Sequence, residues 1–130
     1  MRKSKCAKIL SVLVVVALLV VFVNVVPVSA ANTTYYVDSV GGSDSNNGTS
    51  QSTPWKTLAK VNNTTFQPGD RILLKSGCVW TGQLWPKGSG ANGNPIIVDK
   101  YGTGNKPIIN GQGAVTETVK LYNQQYWEIR

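Results

Sequence analysis

Histidine is absent from this 130-residue sequence, methionine occurs once and cysteine occurs twice. The lack of histidine excludes imidazole acid–base catalysis, serine–histidine triads and histidine metal sites within the chain. Cys6 lies in a basic N-terminal stretch, which leaves Cys78 as the only cysteine farther along. No intramolecular disulfide can therefore form beyond that stretch, and we interpret Cys78 as a small buried side chain rather than a reactive thiol.

Carboxylate side chains are also scarce, with six in the whole sequence. They are Asp38, Asp44, Asp70, Asp99, Glu117 and Glu128. A typical glycoside hydrolase needs two facing carboxyl groups, and a polysaccharide lyase needs a base plus a cation or donors for the substrate carboxylate. Stacking of strands could bring Asp70 and Asp99 into one region, but their separation does not match the strand spacing given below. We therefore predict no catalytic, cofactor-binding or metal-binding residue in this chain.

Residues 1–30 have the three parts of a secretory signal peptide. A basic start precedes the apolar run Ile9–Val23, and Val28-Ser29-Ala30 matches the small-residue pattern that signal peptidase cleaves. The alternative is an uncleaved membrane anchor, because Ile9–Val28 is about as long as the roughly 20 residues that span a bilayer. We predict cleavage after Ala30 and a secreted, extracellular protein, whose only membrane contact would be through an uncleaved segment.

The charge of the chain does not indicate a nucleic-acid partner. The formal net charge is +7, and it becomes +3 without residues 1–30, because 9 basic and 6 acidic residues remain. These Lys and Arg residues are scattered singly from Lys56 to Arg130, whereas a nucleic-acid surface needs clustered basic residues. We expect a monomer without a nucleic-acid partner, and an acidic polysaccharide is a candidate partner.

Three local patterns follow residue 30. Thr34–Val37 is β-branched and aromatic, which predicts a short strand, and Gly41–Thr49 is dense in turn formers, which predicts a loop. Thr53–Val61 predicts a short helix, with Thr53 as its N-cap and Pro54 in its first turn. The apolar face of this helix would consist of Trp55, Leu58 and Ala59. We predict that the helix is a lid within an N-terminal region of residues 31–66.

Short apolar runs recur between Gly, Asn and Pro residues from residue 67 to residue 130, without helical periodicity. Two columns of strands fit a common spacing: Ile72, Ile96 and Val119 lie 24 and 23 residues apart, and Leu84, Ile108 and Ile129 lie 24 and 21 apart. Such a period falls within the roughly 20–45 residues per repeat of a solenoid. The alternative is an antiparallel sandwich, which has turns about every 8–12 residues. We predict a solenoid whose open end is covered by the helix, since a lid prevents edge-to-edge association.

An ordered series of motifs supports this prediction. It consists of Tyr35-Tyr36-Val37-Asp38, Gly42–Thr49, Pro54–Leu58, Pro68–Lys75, Lys87–Gly90, Asn94–Ile97, Tyr101-Gly102 and Lys106–Gly111. In this order the motifs resemble the N-terminal region of right-handed parallel β-helix proteins of the pectate-lyase-like superfamily, over nearly all of residues 34–130. The resemblance implies an all-β, right-handed parallel β-helix (solenoid). Residues 31–66 would be an N-terminal cap with one short α-helix, and residues 67–130 the first coils.

The same resemblance implies a carbohydrate-active protein. That superfamily includes secreted lyases of uronate-containing polymers and hydrolases of pectic chains, and several of the lyases use calcium. We expect an N-terminal segment of a polysaccharide lyase acting on uronate-containing polymers, with calcium as a candidate cofactor of a longer parent and no cofactor in this chain. Substrate-facing residues of that superfamily lie on later coils, and the chain ends within a predicted strand at Trp127–Ile129, so we expect this chain alone to be inactive. The alternatives are a non-enzymatic, adhesin-like surface scaffold and a product that does not fold stably.

Two weaker patterns complete the sequence signals. Asp44–Thr49 has oxygen-bearing side chains at alternate positions and a glycine, like half of a calcium loop, but Trp55 stands where the acidic closing ligand should be. We predict a hydrogen-bonded turn there. Trp80, Trp85 and Trp127 could stack on sugar rings if they were exposed, although aromatic residues that recur beside strands are more typical of interior packing.

Overall fold

The computed structural model describes residues 32–130 of the chain. Within them lie eight short β-strands and one short helix, joined by loops. The strands are β1 (Thr34–Val37), β2 (Thr65–Phe66), β3 (Arg71–Lys75), β4 (Val79–Thr81), β5 (Lys87–Gly88), β6 (Ile96–Tyr101), β7 (Ile108–Asn110) and β8 (Trp127–Ile129), and the helix α1 is Leu58–Asn62. The predicted all-β class is confirmed for this part of the chain. The predicted signal peptide, residues 1–30, lies outside it. Between residues 32 and 130, no helix combines the length and the apolar character needed to cross a membrane.

The strands form three sheets, and every pair of named strands is parallel. Sheet A has the order β1-β3-β6-β8, sheet B pairs β2 with β5, and sheet C pairs β4 with β7. From β2 onward the chain enters the sheets in the order B, A, C, B, A, C and then A again. The antiparallel sandwich is therefore wrong for residues 32–130, because a sandwich of hairpins would pair successive strands with each other.

The core lies between these sheets and is built by alternation along the strands. Successive side chains of a strand point to opposite faces, so β3 buries Ile72 and Leu74, while β6 buries Ile96 and Val98. The buried apolar residues form one cluster of Val37, Trp55, Leu58, Val61, Phe66, Ile72, Leu74, Cys78, Trp80, Leu84, Ile96 and Val98. Cys78 belongs to this cluster, which confirms the prediction that its side chain is buried.

The first predicted column of strands is wrong in register. Ile72 pairs with Val98 rather than with Ile96, and Ile96 pairs with Trp127. Val119 lies outside sheet A altogether, because it forms an isolated bridge with Leu84.

The second predicted column is wrong as well. Ile108 pairs with Val79 and Ile129 pairs with Val98, so neither lies beside Leu84. The spacing between paired residues is 22 in sheet B (65 to 87), 26 between β3 and β6 (72 to 98), 29 in sheet C (79 to 108) and 31 between β6 and β8 (96 to 127). The connections between strands differ in length, and a search for one common period therefore places the strands in the wrong partnerships.

The helix begins later than its sequence pattern predicts. Its N-cap is Thr57 rather than Thr53, and the Thr57 hydroxyl oxygen accepts the backbone N–H of Lys60 at 3.1 Å. The cause lies outside the helix. Asp44, in the loop after β1, accepts the backbone N–H groups of Lys56 at 2.9 Å and Thr57 at 3.0 Å.

Trp55 precedes the helix and does not lie on its apolar face. It forms a parallel bridge with Val37 at the edge of β1 and is buried there. The buried residues of α1 are Leu58 and Val61, whereas Ala59 is exposed. Packing of Trp55 against sheet A thus ties the loop after β1 to the core.

Candidate functional site

A groove of about 720 Å³ lies between the end of α1, the segment around β5 and the loop that precedes β8. Its lining residues are Asn62, Asn63, Trp85, Pro86, Lys87, Gly88, Ser89, Tyr122, Asn123 and Gln124. Ligand pockets typically measure roughly 300–1,000 Å³, so this groove, which we call the Trp85 groove, is large enough for a small organic ligand.

Trp85 differs from the other three tryptophans of the chain. Trp55, Trp80 and Trp127 each donate the indole Nε1–H to a backbone carbonyl oxygen, at 3.0, 2.9 and 3.1 Å respectively. Trp85 is 46% exposed, and its Nε1 has no hydrogen-bond acceptor within residues 32–130. Of the three tryptophans proposed from the sequence as sugar platforms, Trp80 and Trp127 pack against the core and Trp85 is exposed.

The register between distant segments places Lys120 beside Trp85. Leu84 donates its backbone N–H to the carbonyl of Thr118 at 2.9 Å and accepts the N–H of Lys120 at 2.9 Å. The Lys120 ammonium lies 5.0 Å from the centre of the Trp85 ring, within the about 6 Å of a cation–π contact. The same ammonium lies 3.8 Å from Glu117 Oε2. The cation–π contact with Lys120 favours one position of the Trp85 ring at the groove surface.

Two side-chain amides stabilise the walls of the groove. Asn62 donates Nδ2–H to the carbonyl of Gln83 at 2.9 Å and accepts the backbone N–H of Trp85 at 2.7 Å. Gln124 donates to two carbonyl oxygens at and just before β5, at 2.7 and 3.0 Å, and accepts the N–H of Tyr122 at 3.2 Å. Both loops that carry the exposed aromatic residues are therefore fixed by bonds to neighbouring segments.

Other polar groups in the groove are left without a protein partner. The side chains of Asn63, Lys87 and Asn123 make no hydrogen bond or ion pair with the rest of residues 32–130, and the same holds for the Tyr122 hydroxyl. Tyr122 is 65% exposed. The groove thus combines two exposed aromatic rings with amide and ammonium groups that are available to a ligand.

Asp38 is buried beside the end of β3. Its carboxylate lies 2.6 Å from Lys75 Nζ and accepts the N–H groups of Val40 and Gly41, each at 2.9 Å. Burial by itself would raise the pKa of Asp38, but these bonds and the Cys78 thiol outweigh it and lower the pKa to about 2. Asp38 therefore holds a loop as a permanent anion.

Asp44 holds the start of α1 through the hydrogen bonds of its carboxylate. Besides the two N–H groups described above, its carboxylate accepts the Thr57 hydroxyl at 2.6 Å. Burial raises the pKa of Asp44 and the hydrogen bonds from Thr57 and Lys56 lower it, with a net decrease. The hydrogen-bonded turn predicted at Asp44 is present, because the N–H of Asn46 bonds to the carbonyl of Ser43 at 3.0 Å. The Asp44 carboxylate itself bonds to backbone groups 12 and 13 residues away.

Asp70 and Asp99 bond to different partners. Asp70 is buried and accepts the backbone N–H groups of Thr33 at 3.0 Å and Gln67 at 2.8 Å. Asp99 lies at the surface, 3.8 Å from the Arg71 guanidinium. Their carboxylates have separate partners, and the arrangement offers no acid–base pair for cleaving a glycosidic bond.

The remaining two carboxylates also have basic neighbours. Glu117 lies 3.8 Å from Lys120, and Glu128 lies 2.6 Å from Arg130. Across residues 32–130, no group of three or more His, Cys, Asp and Glu side chains could hold a metal ion.

A second, smaller groove of about 320 Å³ is rich in basic side chains. It is lined by Asp99, Lys100, Lys106, Pro107 and Arg130. The sequence predicts neither groove as a site, although Lys106 and Pro107 belong to one of the motifs given above. Tyr122 and Asn123 carry no local motif, and contacts between distant segments bring them to the Trp85 groove.

Sequence comparison finds a similar protein among the glycan-processing enzymes. Lacto-N-biosidase of Bifidobacterium longum subsp. longum is 41% identical over an alignment of 91 residues that covers 65% of this chain and 6% of that protein. The chain therefore spans only a small part of the length of this relative. No protein-family model matches the chain.

Structure comparison leads to the same kind of protein. Two crystal structures of the GH136 lacto-N-biosidase of Eubacterium ramulus, the native protein and a selenomethionine derivative, each match with a TM-score of 0.50 and 35% identity. Each match covers 58% of this chain and 12% of that one. The similarity is to carbohydrate-active proteins, and it gives no support to a lyase of uronate polymers or to a specifically pectate-lyase-like protein.

Proposed function

We propose that residues 32–130 form coils of a right-handed parallel β-helix that belongs to a carbohydrate-active glycoside hydrolase related to the lacto-N-biosidases. The observation that carries the proposal is the 41% identity over 91 residues with the Bifidobacterium longum enzyme. The structural match to the Eubacterium ramulus enzyme, at 35% identity, supports it independently.

The order of the sheets supports the β-helix part of the proposal. A chain that visits three parallel sheets in a repeating order adds one strand to each sheet per turn, and a solenoid stacks its turns in this way. We infer that Trp55 and α1 belong to the cap that the sequence predicts over residues 31–66, because Trp55 forms a bridge with Val37 on the outer strand β1 of sheet A. Residues 67–130 then supply the following coils.

The chemistry of this segment favours a structural and binding contribution rather than catalysis. The two carboxyl groups that glycoside hydrolysis requires must face each other across the bond, and the six carboxylates of residues 32–130 each hold a loop or a basic neighbour. We propose that the residues that cleave the substrate lie on other coils of the whole protein. Secretion after cleavage at Ala30 and a monomeric state remain our predictions.

A segment exchange tests the proposal. The matched segment of the Bifidobacterium longum lacto-N-biosidase is replaced by the corresponding residues of this chain, and the lacto-N-biosidase activity of the chimera is measured. We expect the chimera to fold and to keep measurable activity, because equivalent coils present the same sheet edges to the rest of the β-helix.

A matched variant controls for the fold of the exchanged segment. The same chimera with Ile96→Asp places a charge in the core and should lose both its thermal transition and its activity. A soluble, cooperatively folded chimera that is inactive would contradict the proposal, since the exchanged coils would then not be equivalent.

A further inference from the structure

We propose that the Trp85 groove is a sugar-binding subsite that takes an uncharged oligosaccharide and plays no part in bond cleavage. The class of ligand rests on the proposed function. The existence of a binding site rests on the exposed residues of the groove itself.

The first step concerns the aromatic surface. A pyranose ring has faces of C–H groups, which pack well on a flat aromatic ring, and Trp and Tyr combine such a surface with a polar group. Trp85 and Tyr122 are both exposed at this groove. The indole N–H groups of the other three tryptophans bond to backbone carbonyls. Trp85 makes no such bond, and packing within residues 32–130 does not explain its position at the surface.

The second step concerns hydrogen bonding. Sugar hydroxyl groups both donate and accept, and side-chain amides do the same. Asn63 and Asn123 line the groove with unpaired amides, and the Trp85 Nε1–H adds a donor. A small number of polar groups on an otherwise apolar lining is the usual composition of a small-molecule site.

The third step concerns preorganisation. Asn62 fixes the backbone of Trp85, Gln124 fixes the loop that carries Tyr122, and Lys120 holds the indole ring. Binding groups that are already ordered lose less conformational entropy when a ligand arrives. The groove therefore binds without rearrangement of its walls.

Among the residues that the structure describes, the lining carries one unpaired cation and no carboxylate, so its charge gives an acidic ligand at most one partner. Lys120 is already engaged by Glu117 and by the Trp85 ring, which leaves Lys87 as the unpaired cation of the groove within residues 32–130. The basic side chains that would attract a uronate, Lys100 and Lys106, lie instead in the second groove. No carboxylate lines the Trp85 groove, so it has no acid or base for hydrolysis.

The test uses the full chain as its host processes it, labelled with ¹⁵N, and lacto-N-biose as the probe. The four indole N–H signals are followed by NMR while the sugar is added, and the Trp85 signal is assigned from its absence in Trp85→Phe. We expect saturable shifts of the Trp85 signal, with the signals of the buried indoles of Trp55 and Trp80 unchanged.

Substitutions identify the groove as the binding site. Trp85→Ala should weaken binding by at least about tenfold, as truncation of a central aromatic residue does at other interfaces, and Tyr122→Ala should weaken it less. The matched control is Tyr126→Ala, which removes an exposed tyrosine that does not line the groove and should leave binding unchanged. Each variant is first checked for an unaltered thermal transition.

The proposal is overturned if lacto-N-biose leaves the Trp85 signal in place, if Trp85→Ala and the control bind equally well, or if a uronate oligomer shifts the Trp85 signal and lacto-N-biose does not. A shift that follows protein concentration instead of sugar would also overturn it, because the groove would then bind a second copy of the chain. Failure of the segment exchange leaves these outcomes intact, so the proposed function and the binding site can fail separately.

Discussion

Asp38 is a buried carboxylate that remains charged because four donors surround it. Lys75, Val40, Gly41 and Cys78 all direct hydrogens at its two oxygens. Desolvation would by itself favour the neutral acid, but these donors favour the anion and lower the pKa to about 2. The pair of Asp38 and Lys75 joins the loop after β1 to the end of β3, across 37 residues of sequence.

The pH dependence of stability follows from this residue. The pKa of Asp38 is about 2 in the folded protein and about 3.8 in the unfolded chain, so its contribution is complete above pH 4 and is lost as the pH falls toward 2. Asp38→Asn should lower the free energy of unfolding at pH 7 by about 2 kcal/mol, the value of a shift of this size. The variant should also lose less stability than the unmodified protein as the pH falls from 4 to 2.

Thermal melts of both proteins at pH 7, 4 and 2.5 measure this effect. Asp99→Asn is the control, because Asp99 is a surface residue with an ion pair of 3.8 Å, and such pairs contribute less than about 1 kcal/mol. Equal melting temperatures for Asp38→Asn and the unmodified protein at pH 7 would show that the ion pair of Asp38 and Lys75 does not stabilise the fold.

Tyr101 shows the opposite situation, a buried polar atom without a partner. Its hydroxyl has no hydrogen bond within residues 32–130, and burial, followed by the negative charge of Asp38, raises its pKa to about 12. We expect Tyr101→Phe to leave the protein as stable or up to about 1 kcal/mol more stable at pH 7, because a buried unsatisfied group is removed.

Chemical denaturation compares Tyr101→Phe with Tyr35→Phe. The Tyr35 variant loses a hydrogen bond to Thr33 and should be destabilised by about 1 kcal/mol. A lower stability of Tyr101→Phe than of Tyr35→Phe would contradict this prediction.

At the scale of elements, the loop between β1 and α1 depends on one glycine. Gly48 is buried beneath the Trp55 ring with φ of 76°, and a Cβ on it would lie 2.5 Å from that ring. Its carbonyl accepts the N–H of Tyr36 at 2.7 Å. The loop, the ring and β1 therefore need a residue without a side chain at this position.

Gly48→Ala should destabilise the protein by about 2–4 kcal/mol, since the left-handed backbone costs about 1–2 kcal/mol and the crowding adds a comparable amount. Gly77→Ala is a matched control, because Gly77 has φ of 77° and nothing within 4 Å of its Cβ position. Gly77→Ala should be destabilised only by the cost of the left-handed backbone, about 1–2 kcal/mol. If both variants unfold at the same denaturant concentration, Trp55 does not pack on Gly48 in solution.

Individual elements differ in how far the sequence predicts them. Thr34–Val37 and the strands around Ile72, Ile96, Ile108 and Trp127 are formed as predicted, because alternation and β-branched residues act within a few positions. The start of α1 was predicted four residues early. The carboxylate of Asp44 captures the N–H groups at Lys56 and Thr57, and a partner so distant in sequence leaves no local pattern.

At the scale of the molecule, sheet A contributes more buried apolar residues to the core than sheet B or sheet C. Ile96 is fully buried on β6, between β3 and β8, whereas Ile108 on β7 of sheet C is 54% exposed. Ile96→Ala should lower the free energy of unfolding by about 2–5 kcal/mol, a large share of the roughly 5–15 kcal/mol of a typical domain. Ile108→Ala should cost less than about 1 kcal/mol. Urea unfolding followed by tryptophan fluorescence measures both, and similar losses would mean that the sheets contribute equally to the core.

The sequence by itself determined the class of the fold, the burial of Cys78, the absence of histidine chemistry and the positions of most strands. These properties depend on composition and on patterns within a few residues. Only the tertiary structure decided which strands pair, which tryptophan is exposed, and which residues meet around Trp85 and Asp38. Connections of unequal length set these contacts between residues that are tens of positions apart, and no repeat in the sequence encodes those lengths. The physical reason is that strand formation is local, whereas register depends on packing of the whole core.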